Sequence, residues 1–258
     1  MVPTKLNPHS MKPNLMVVDV NAFSTPSNFP DVSEQQFILE ERGMDETSLQ
    51  PANPTSDQYK GIHLVILVHG FQGSSNDMKL VKNNLLLMKP ELLIYSSVKN
   101  EDNTEASIED MGRKLAEEVM DYIKDFCPGS ALGRLSFIGY SLGGVIARES
   151  LKHLGAYHSK FHTFVTLSSP HMSFLYSSSS LIDAGMWLIK KVKKSDSLTQ
   201  LTMSDASKLE DSFLYKLADS EHIQTFKNIV LFGSDQDTYS PFDSATIQVS
   251  DAVQRESR

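Results

Sequence analysis

The chain has 258 residues, of which 40% are hydrophobic and 22% are charged, and its formal net charge is −8. This composition is typical of a globular protein, and the length suits one large α/β domain or two small ones. The acidic balance argues against nucleic-acid binding, because no basic face dominates the chain. The single cysteine, Cys127, excludes an internal disulfide and suits a reducing, cytoplasmic location. We see no signal peptide and no run of about 18 apolar residues, so we expect no membrane span.

Residues 1–58 differ in composition from the rest of the chain. They are rich in proline, asparagine, serine and acidic residues, which predicts a flexible or loosely packed arm. One apolar patch, Leu15 to Val18, interrupts this arm and suits an added strand or a docking segment. We expect residues 59–258 to form the main domain.

Strand and helix patterns alternate from Gly61 onward. Ile62 to Val68 is a nearly continuous apolar, β-branched run, typical of a strand buried on both faces. Asn76 is a candidate N-cap for a helix that runs to Lys89 and stops at Pro90. The other predicted strands are 92–95, 134–138, 161–167 and 227–232, and the other helices are 104–126 and 142–154. This alternation predicts a mostly parallel sheet with helices on both faces, whose functional loops collect at the carboxyl ends of the strands.

The segment Gly139 to Gly143 has the pattern Gly-x-Ser-x-Gly between a predicted strand and a predicted helix. A serine on such a sharp turn needs small neighbours two residues before and after it, and the turn exposes its hydroxyl. We therefore predict Ser141 as a nucleophile, with the backbone amide of Leu142 facing an oxyanion. The alternative is a glycine-rich turn that carries a serine for packing reasons only.

Two other loops follow predicted strands at the same edge. After Val68, the loop His69-Gly70-Phe71 offers the Phe71 amide as a second oxyanion donor, while His69 is expected to hold the loop rather than to act as a base. After Phe232, Asp235 and Asp237 are both candidates for the acid, although both residue types also simply form turns.

The general base is the weak part of this constellation. In this architecture the chain order is Ser, then Asp or Glu, then His, but no histidine follows Asp237. His222 precedes the last strand and is expected at the wrong end of the sheet. His171, which follows the strand at 161–167, is the remaining candidate, although a lone histidine is more often a surface or hydrogen-bonded residue.

A long insertion, residues 171–222, separates the last two predicted strands. Within it, 181–194 combines apolar residues with four lysines and predicts an amphipathic helix. Such a helix suits a mobile lid, a peripheral contact with an anionic membrane, or packing on the core with a solvated lysine face.

Four motifs occur in one order along the chain: Val68 to Phe71, Gly139 to Gly144, Leu167 to His171, and Gln236 to Pro241. With them, the chain resembles the α/β-hydrolase superfamily over about residues 60–250. More narrowly, it resembles the serine-esterase, lipase-like domain at the C-terminus of a family of large eukaryotic proteins. The resemblance implies Ser141 as nucleophile, Asp237 rather than Asp235 as acid, and a histidine beyond a further helix and strand.

The sequence departs from the family pattern after Ile247, where we expect the last strand and its histidine to be missing. The resemblance implies a serine hydrolase that cleaves carboxylic esters, predicted to be lipid esters, with impaired activity in this chain. A non-catalytic binding or interaction module on the same fold is the main alternative, and a peptidase or thioesterase on the same scaffold is a third. No metal-ligand cluster and no phosphate-binding glycine loop occurs in the sequence, so we expect no cofactor.

Overall fold

A computed structural model describes residues 13–20, 61–173 and 195–248. The strands are β1 Asn14–Asp19, β2 Ile62–Val68, β3 Leu93–Ser96, β4 Leu132–Tyr140, β5 Phe161–Leu167 and β6 Asn228–Gly233. They form a six-stranded sheet in the order β1-β6-β5-β4-β2-β3, and every neighbouring pair is parallel. The predicted parallel sheet is confirmed, and the bounds of β2 and β5 agree with those predicted.

Six α-helices lie in the described ranges. They are α1 Lys79–Met88, α2 Ile108–Phe126, α3 Leu142–Ser150, α4 Asp196–Leu201, α5 Phe213–Ala218 and α6 Phe242–Thr246. Among the residues that the structure describes, no helix is both long enough and apolar enough to cross a membrane.

The predicted starts of two helices were wrong. Asn76 is not an N-cap, because a 3₁₀ turn begins at Ser75 and is capped by Ser74, whose amide donates to the Asp77 carboxylate at 2.8 Å. α2 begins at Ile108 rather than at 104, because the Ser107 hydroxyl accepts the Asp110 amide at 3.2 Å and ends the preceding loop. In both cases a serine stands directly before the first helical residue, where the first amides lack an intrahelical acceptor.

Helices cover both faces of the sheet, as predicted. Successive side chains along a strand point to opposite faces of the sheet. Leu64, Phe137 and Phe164 pack in the larger core beneath α2 and α3. Val65, Leu67 and Ile138 belong to a smaller core beneath α1.

The apolar patch in the predicted arm forms an edge strand of the sheet. β1 pairs with β6, with Met16 opposite Val230 and Val18 opposite Phe232. The strand alternative for this patch is therefore confirmed. Most of the predicted arm lies outside the described residues, so its loose packing stays a prediction. Within the described ranges no strand follows β6, and the expected absence of a last strand stays a prediction.

The described part of the insertion packs against the core. The Ser197 hydroxyl in α4 donates to the Thr104 carbonyl at 2.7 Å, and the Gln200 side chain accepts the Ile108 amide at the start of α2 at 2.7 Å. α5 adds Phe213 and Leu217 to the larger core. The helix predicted at 181–194 lies outside the described residues, and its role as lid or membrane contact stays a prediction.

A buried carboxylate fixes the loop that follows β3. Glu118 in α2 is 6% exposed and accepts hydrogen bonds from the Tyr95 and Ser97 hydroxyls and from the Val98 and Lys99 amides. These donors replace the hydrogen bonds to water that the side chain loses on burial. Glu118 thus ties α2 to the carboxyl edge of the sheet.

We expect Glu118→Gln to lower the free energy of unfolding by about 1–3 kcal/mol, because an amide group leaves at least one buried donor unsatisfied. Urea unfolding followed by circular dichroism measures this change. Glu117→Gln is the matched control, since the Glu117 side chain is 45% exposed and surface changes typically stay within about 0.5 kcal/mol. Equal effects of the two substitutions would show that the Glu118 carboxylate does not hold this loop.

Candidate active site

The loops predicted to carry the chemistry follow neighbouring strands at one edge of the sheet. Tyr140 at the end of β4 is the register partner of Leu167 in β5, which is the partner of Phe232 in β6. Because neighbouring strands lie about 4.8 Å apart, Tyr140 and Phe232 are separated by about 10 Å. Ser141 directly follows the first of these strands, and Asp237 follows the last within a short loop.

Ser141 lies at the junction of β4 and α3 in a strained backbone conformation. Its φ is 52° and its ψ is −126°, a combination that non-glycine residues rarely adopt. Its amide donates to the Leu167 carbonyl of β5 at 2.9 Å, which fixes the turn. A conformation that costs about 1–3 kcal/mol persists only where the surroundings determine it, and such residues cluster at functional sites.

Three glycines allow this turn because their neighbours come too close for a side chain. A Cβ atom on Gly139 would lie within 3.0 Å of Gly144, and one on Gly143 within 3.0 Å of the Val68 and His69 carbonyls. A Cβ on Gly144 would meet the side chain of Ser169 at a similarly short distance. The predicted need for small residues at 139 and 143 is confirmed, and Gly144 adds a third close contact.

The loop after β2 lies directly beside Ser141. A Cβ on Gly70 would come within 3.1 Å of the Ser141 Cβ atom, so this backbone lies against Ser141. Leu142 is the first residue of α3, and the first amides of a helix have no intrahelical acceptor. The structure thus brings the loop containing Phe71 and the Leu142 end of α3 together, while their action as oxyanion donors stays a prediction.

His69 holds the backbone of this loop. It is 1% exposed, and its Nδ1 lies 3.0 Å from the Gly70 carbonyl. Because a carbonyl only accepts, we assign the proton to Nδ1, which leaves Nε2 without a hydrogen bond among the described residues. This contact fits the expected loop-holding role of His69.

A second anchor joins the same loop to the insertion. The Gln72 amide donates to the Thr104 hydroxyl at 2.8 Å, and the Thr104 carbonyl accepts the Ser197 hydroxyl of α4. The Gln72 side chain also donates to Glu105 at 3.2 Å. The position of the loop beside Ser141 therefore depends on residues 104–105 and, through them, on α4.

Asp237 is oriented by backbone amides. Its Oδ1 accepts the Tyr239 amide at 2.8 Å and the Ser240 amide at 3.0 Å, whereas Oδ2 accepts no hydrogen bond from the described residues. Asp235 is exposed and Asp237 is half-buried. Asp237 thus forms the turn, as the structural alternative proposed, and keeps one oxygen available for another donor.

His171 lies at the correct end of the sheet but faces the interior. It is 1% exposed, and its Nε2 is 3.1 Å from the Thr166 hydroxyl. Burial, together with the positive charge of Arg148, lowers the pKa of His171 to about 3. No hydrogen bond joins it to Ser141 in the described part of the chain, so the geometry does not support its use as a base.

The other described histidines lie away from the site. His63 and His162, at the amino ends of β2 and β5, have ring centroids 5.1 Å apart, and His158 and His222 have theirs 5.6 Å apart. The expectation that His222 sits at the wrong end is consistent with this contact. Among the described histidines, none is a hydrogen-bond partner of Ser141.

Sequence reasoning missed Arg148 in α3. Burial lowers the pKa of this guanidinium to about 10, so it remains charged at neutral pH, and it donates to the Leu217 carbonyl of α5 at 3.0 Å. It therefore links the helix that follows Ser141 to the insertion. The available signal was an arginine directly after the apolar run Val145 to Ala147.

The parallel sheet, the helices on both faces and the strand–Ser141–helix turn together form the α/β-hydrolase fold that the resemblance implies. The family model described as "Putative serine esterase (DUF676)" matches residues 58–250. "Putative lipase YDL109C" of Saccharomyces cerevisiae is 31% identical over 126 residues, or 44% of this chain and 19% of that protein. "Putative lipase ROG1" of the same yeast is 25% identical over 162 residues, or 58% of this chain and 23% of that protein. The chain thus spans about a fifth of each of these relatives.

Solved structures of lipases also resemble the chain. The mature lipase BlEst2 of Bacillus licheniformis is 21% identical with a TM-score of 0.46, covering 69% of this chain and 67% of that one. Phospholipase PlaB from Legionella pneumophila is 17% identical with a TM-score of 0.46, covering 67% of this chain and 39% of that one. Likenesses at this level do not bear on the reaction.

We expect Gly144→Ala to lower the free energy of unfolding by about 1–3 kcal/mol, because its Cβ would overlap Ser169 and force α3 away from β5. Urea unfolding gives the value. Adding Ser169→Gly should recover part of the loss, since it removes the overlapping side chain.

Gly155→Ala is the matched control, because a Cβ at Gly155 meets nothing within 4 Å. It should be neutral or slightly stabilising. A loss as large as that of Gly144→Ala, or no recovery with Ser169→Gly, would contradict close packing as the reason for Gly144.

We also expect His171 to make stability depend on pH. Its folded pKa of about 3 lies below the ordinary value of 6.5, so the unfolded chain binds the proton first. The contribution is complete above about pH 6.5 and is lost as the pH falls toward 3, with a slope of up to about 1.4 kcal/mol per pH unit.

Urea unfolding of the wild type and His171→Asn at about pH 7, 6 and 5 tests this dependence, since the variant should show the smaller decline. Thr166→Val keeps the histidine and should keep the wild-type slope. If His171→Asn declines as steeply as the wild type, this histidine is not buried in its neutral form.

Proposed function

Because the chain belongs to the family described as "Putative serine esterase (DUF676)", we propose that its site is that of a serine ester hydrolase with Ser141 as nucleophile. One observation carries the proposal: Ser141 is held at φ 52° on the turn between β4 and α3, beside the backbone of Gly70. Packing of this turn requires glycine on either side, but it does not require a serine at its tip. In a hydrolase, the strained turn would present the serine hydroxyl at the carboxyl edge of the sheet as a nucleophile.

In the proposed reaction the Ser141 Oγ attacks the carbonyl carbon of a carboxylic ester while a base takes its proton. The tetrahedral intermediate collapses, the carbon–oxygen bond to the alcohol breaks, and the proton passes to the departing alkoxide. Water then attacks the acyl-serine ester and releases the carboxylic acid, which regenerates Ser141. The amides of Leu142 and Phe71 would stabilise the negative oxygen in both steps, helped by the dipole of α3.

Asp237 is the proposed acid. Its Oδ1 is held by two backbone amides, so its Oδ2 is oriented to accept the Nδ1 proton of a histidine. The gap of about 10 Å between the ends of β4 and β6 has room for an imidazole between Ser141 and Asp237. The described histidines do not fill it, and we therefore propose that this chain hydrolyses esters slowly. In serine hydrolases, losing the triad histidine lowers the rate by about a million-fold.

Lipid esters are the proposed substrates. The matching yeast proteins carry the name lipase, and the amphipathic pattern at 181–194 suits contact with an anionic lipid surface. Cytoplasmic residence with a peripheral membrane contact is the corresponding proposal for its location.

A non-catalytic binding module is the second candidate. It is favoured by one observation: no described histidine is a hydrogen-bond partner of Ser141, and His171 is buried against Thr166. Such a module would bind an ester or a partner at the same edge without forming an acyl-serine.

Chemical rescue with imidazole separates the two candidates. Wild type and Ser141→Ala are compared on short-chain and long-chain p-nitrophenyl esters with and without imidazole, together with labelling by a fluorophosphonate probe. We expect imidazole to raise hydrolysis and labelling of the wild type above those of Ser141→Ala, because it can accept the Ser141 proton in the open gap.

Ser220→Ala is the control, since the Ser220 hydroxyl donates to Leu217 away from the site, and it should behave as wild type. Labelling that persists in Ser141→Ala would reject Ser141 as the nucleophile. If wild type and Ser141→Ala are indistinguishable under imidazole, the binding module is the better description.

A further inference from the structure

The outer face of α1 carries the most exposed large apolar side chains of the described residues. Leu80 is 75% exposed, Leu87 is 83% exposed and Met88 is 75% exposed, and every other large hydrophobic side chain in the described ranges is less exposed. At 3.6 residues per turn, Leu87 and Met88 lie within about 80° of Leu80 around the helix axis. The three side chains therefore share one face of a single helix.

Packing on the core does not account for these three side chains. The opposite face of α1 holds Val81 and Leu85, which pack against the smaller core. A surface helix normally has charged and polar residues on the face that points away from the core. A single exposed leucine is ordinary, but three large apolar side chains grouped on the solvent side of one helix are typical of a surface that binds a partner.

An asparagine within this face forms a hydrogen bond inside the helix. Asn84 is exposed, and its side-chain amide donates to the Leu80 carbonyl one turn earlier at 2.8 Å. One of its polar hydrogens is therefore already satisfied by the helix itself. This contact lowers the cost of moving the face out of water.

Positive charge accompanies the apolar side chains. Lys79, Lys82 and Lys89 belong to this stretch, and no acidic residue occurs from 78 to 90. None of the three ammonium groups forms an ion pair with a carboxylate of the described residues. The stretch is thus basic in a chain whose net charge is −8. Leucine beside lysine suits an anionic lipid surface, because the acyl boundary receives the apolar groups and the headgroups attract the lysines.

A second copy of the chain fits this face less well. A two-fold contact presents the same surface on both partners, so it would place lysines against lysines. A stable dimer also buries about 800 Å² on each partner, whereas α1 has ten residues and a length of only about 15 Å. Both the charge and the size of the face therefore favour a lipid surface.

The place of α1 in the fold connects this face to the candidate site. Only the 3₁₀ turn Ser75–Met78 separates α1 from the loop that contains Phe71, and Met78 is buried in the smaller core. A helix that lies flat in the membrane interface would therefore hold this loop close to the lipid headgroups.

We infer that the outer face of α1 docks the chain on an anionic lipid bilayer, with Leu80, Leu87 and Met88 inserted below the headgroups. This face is separate from the stretch 181–194, for which a membrane contact is also proposed. Delivery of lipid esters to Ser141 by this docking rests on the proposed function, whereas the docking itself requires no hydrolysis.

Co-sedimentation of the full chain with vesicles tests the docking. The vesicles contain phosphatidylcholine, with or without phosphatidylserine. Leu80→Asn combined with Leu87→Asn should weaken binding to the phosphatidylserine vesicles by at least about tenfold, because two leucine side chains no longer enter the apolar layer. Leu209→Asn is the matched control, since Leu209 is 47% exposed in the insertion, and it should bind as wild type.

The lysines are tested in a separate pair of variants. Lys79→Gln and Lys89→Gln should each weaken binding to phosphatidylserine vesicles by about fivefold, and added salt should reduce this difference because it screens the charges. Lys216→Gln is the control, since Lys216 is exposed on α5, and it should leave binding unchanged.

A fluorophore on α1 reports insertion directly. In a Cys127→Ser background, Leu87→Cys is labelled with a nitrobenzoxadiazole group, whose emission becomes brighter and shifts to the blue in an apolar layer. We expect this change when phosphatidylserine vesicles are added. The same label on Leu209→Cys should show no change.

Absence of vesicle binding by the wild type, or wild-type binding by the α1 variants, would overturn the inference. Loss of binding in Trp187→Ser alone would assign the membrane contact to 181–194 instead. Dimers in solution that Leu80→Asn with Leu87→Asn dissociates, without vesicle binding, would assign the face to a second copy. Ester hydrolysis enters none of these measurements, so a failure of Ser141 as nucleophile would leave their outcome unchanged.

Discussion

The close approach of α3 to the strands around it is the constraint on which the candidate site depends. Gly139, Gly143 and Gly144 each face backbone or side-chain atoms that leave no space for a Cβ. This contact brings the start of α3 over the carboxyl end of β4 and beside the loop that follows β2. Ser141 is then the only residue between β4 and α3, and the sharp turn requires its positive φ. The placement of the proposed nucleophile, of both proposed oxyanion donors and of the helix dipole therefore follows from one packing arrangement.

The two halves of the proposed machinery differ in how they are held. The half around Ser141 is held by close contacts among β2, β4, β5 and α3. The half that would activate the serine is incomplete in the described residues: the Tyr239 and Ser240 amides hold Asp237, but no described histidine is its hydrogen-bond partner. His171 lies at the carboxyl end of the sheet, but this is not sufficient for a role as base because its ring faces the interior. Its ring turns beneath α3 toward Thr166, where burial keeps it neutral.

The sequence predicted those features that depend on local pattern. The bounds predicted for β2 and β5 were correct to the residue, and Gly-x-Ser-x-Gly between strand and helix located the turn at Ser141. The helix starts were wrong because Ser74 and Ser107 compete with nearby polar residues, and only the hydrogen-bond geometry decides which one caps. Arg148 and Glu118 could not be assigned, since Arg148 bonds to Leu217 and Glu118 to the loop after β3. Such partners are distant in sequence, and no periodicity brings them together.

The conformation of Ser141 distinguishes the two proposed functions better than the glycines around it do. The glycines would be needed in any protein that packs α3 so closely on β4, whether or not it performs chemistry. A serine at φ 52° is different, because glycine at that position would adopt the same backbone with less strain. For a module that only binds, the strain at Ser141 would be a cost of about 1 kcal/mol or more without a corresponding gain. For a hydrolase the same strain presents the hydroxyl to the substrate beside the loop of Gly70. The physical cost of the turn therefore favours the hydrolase over the binding module, even though the described residues do not supply its base.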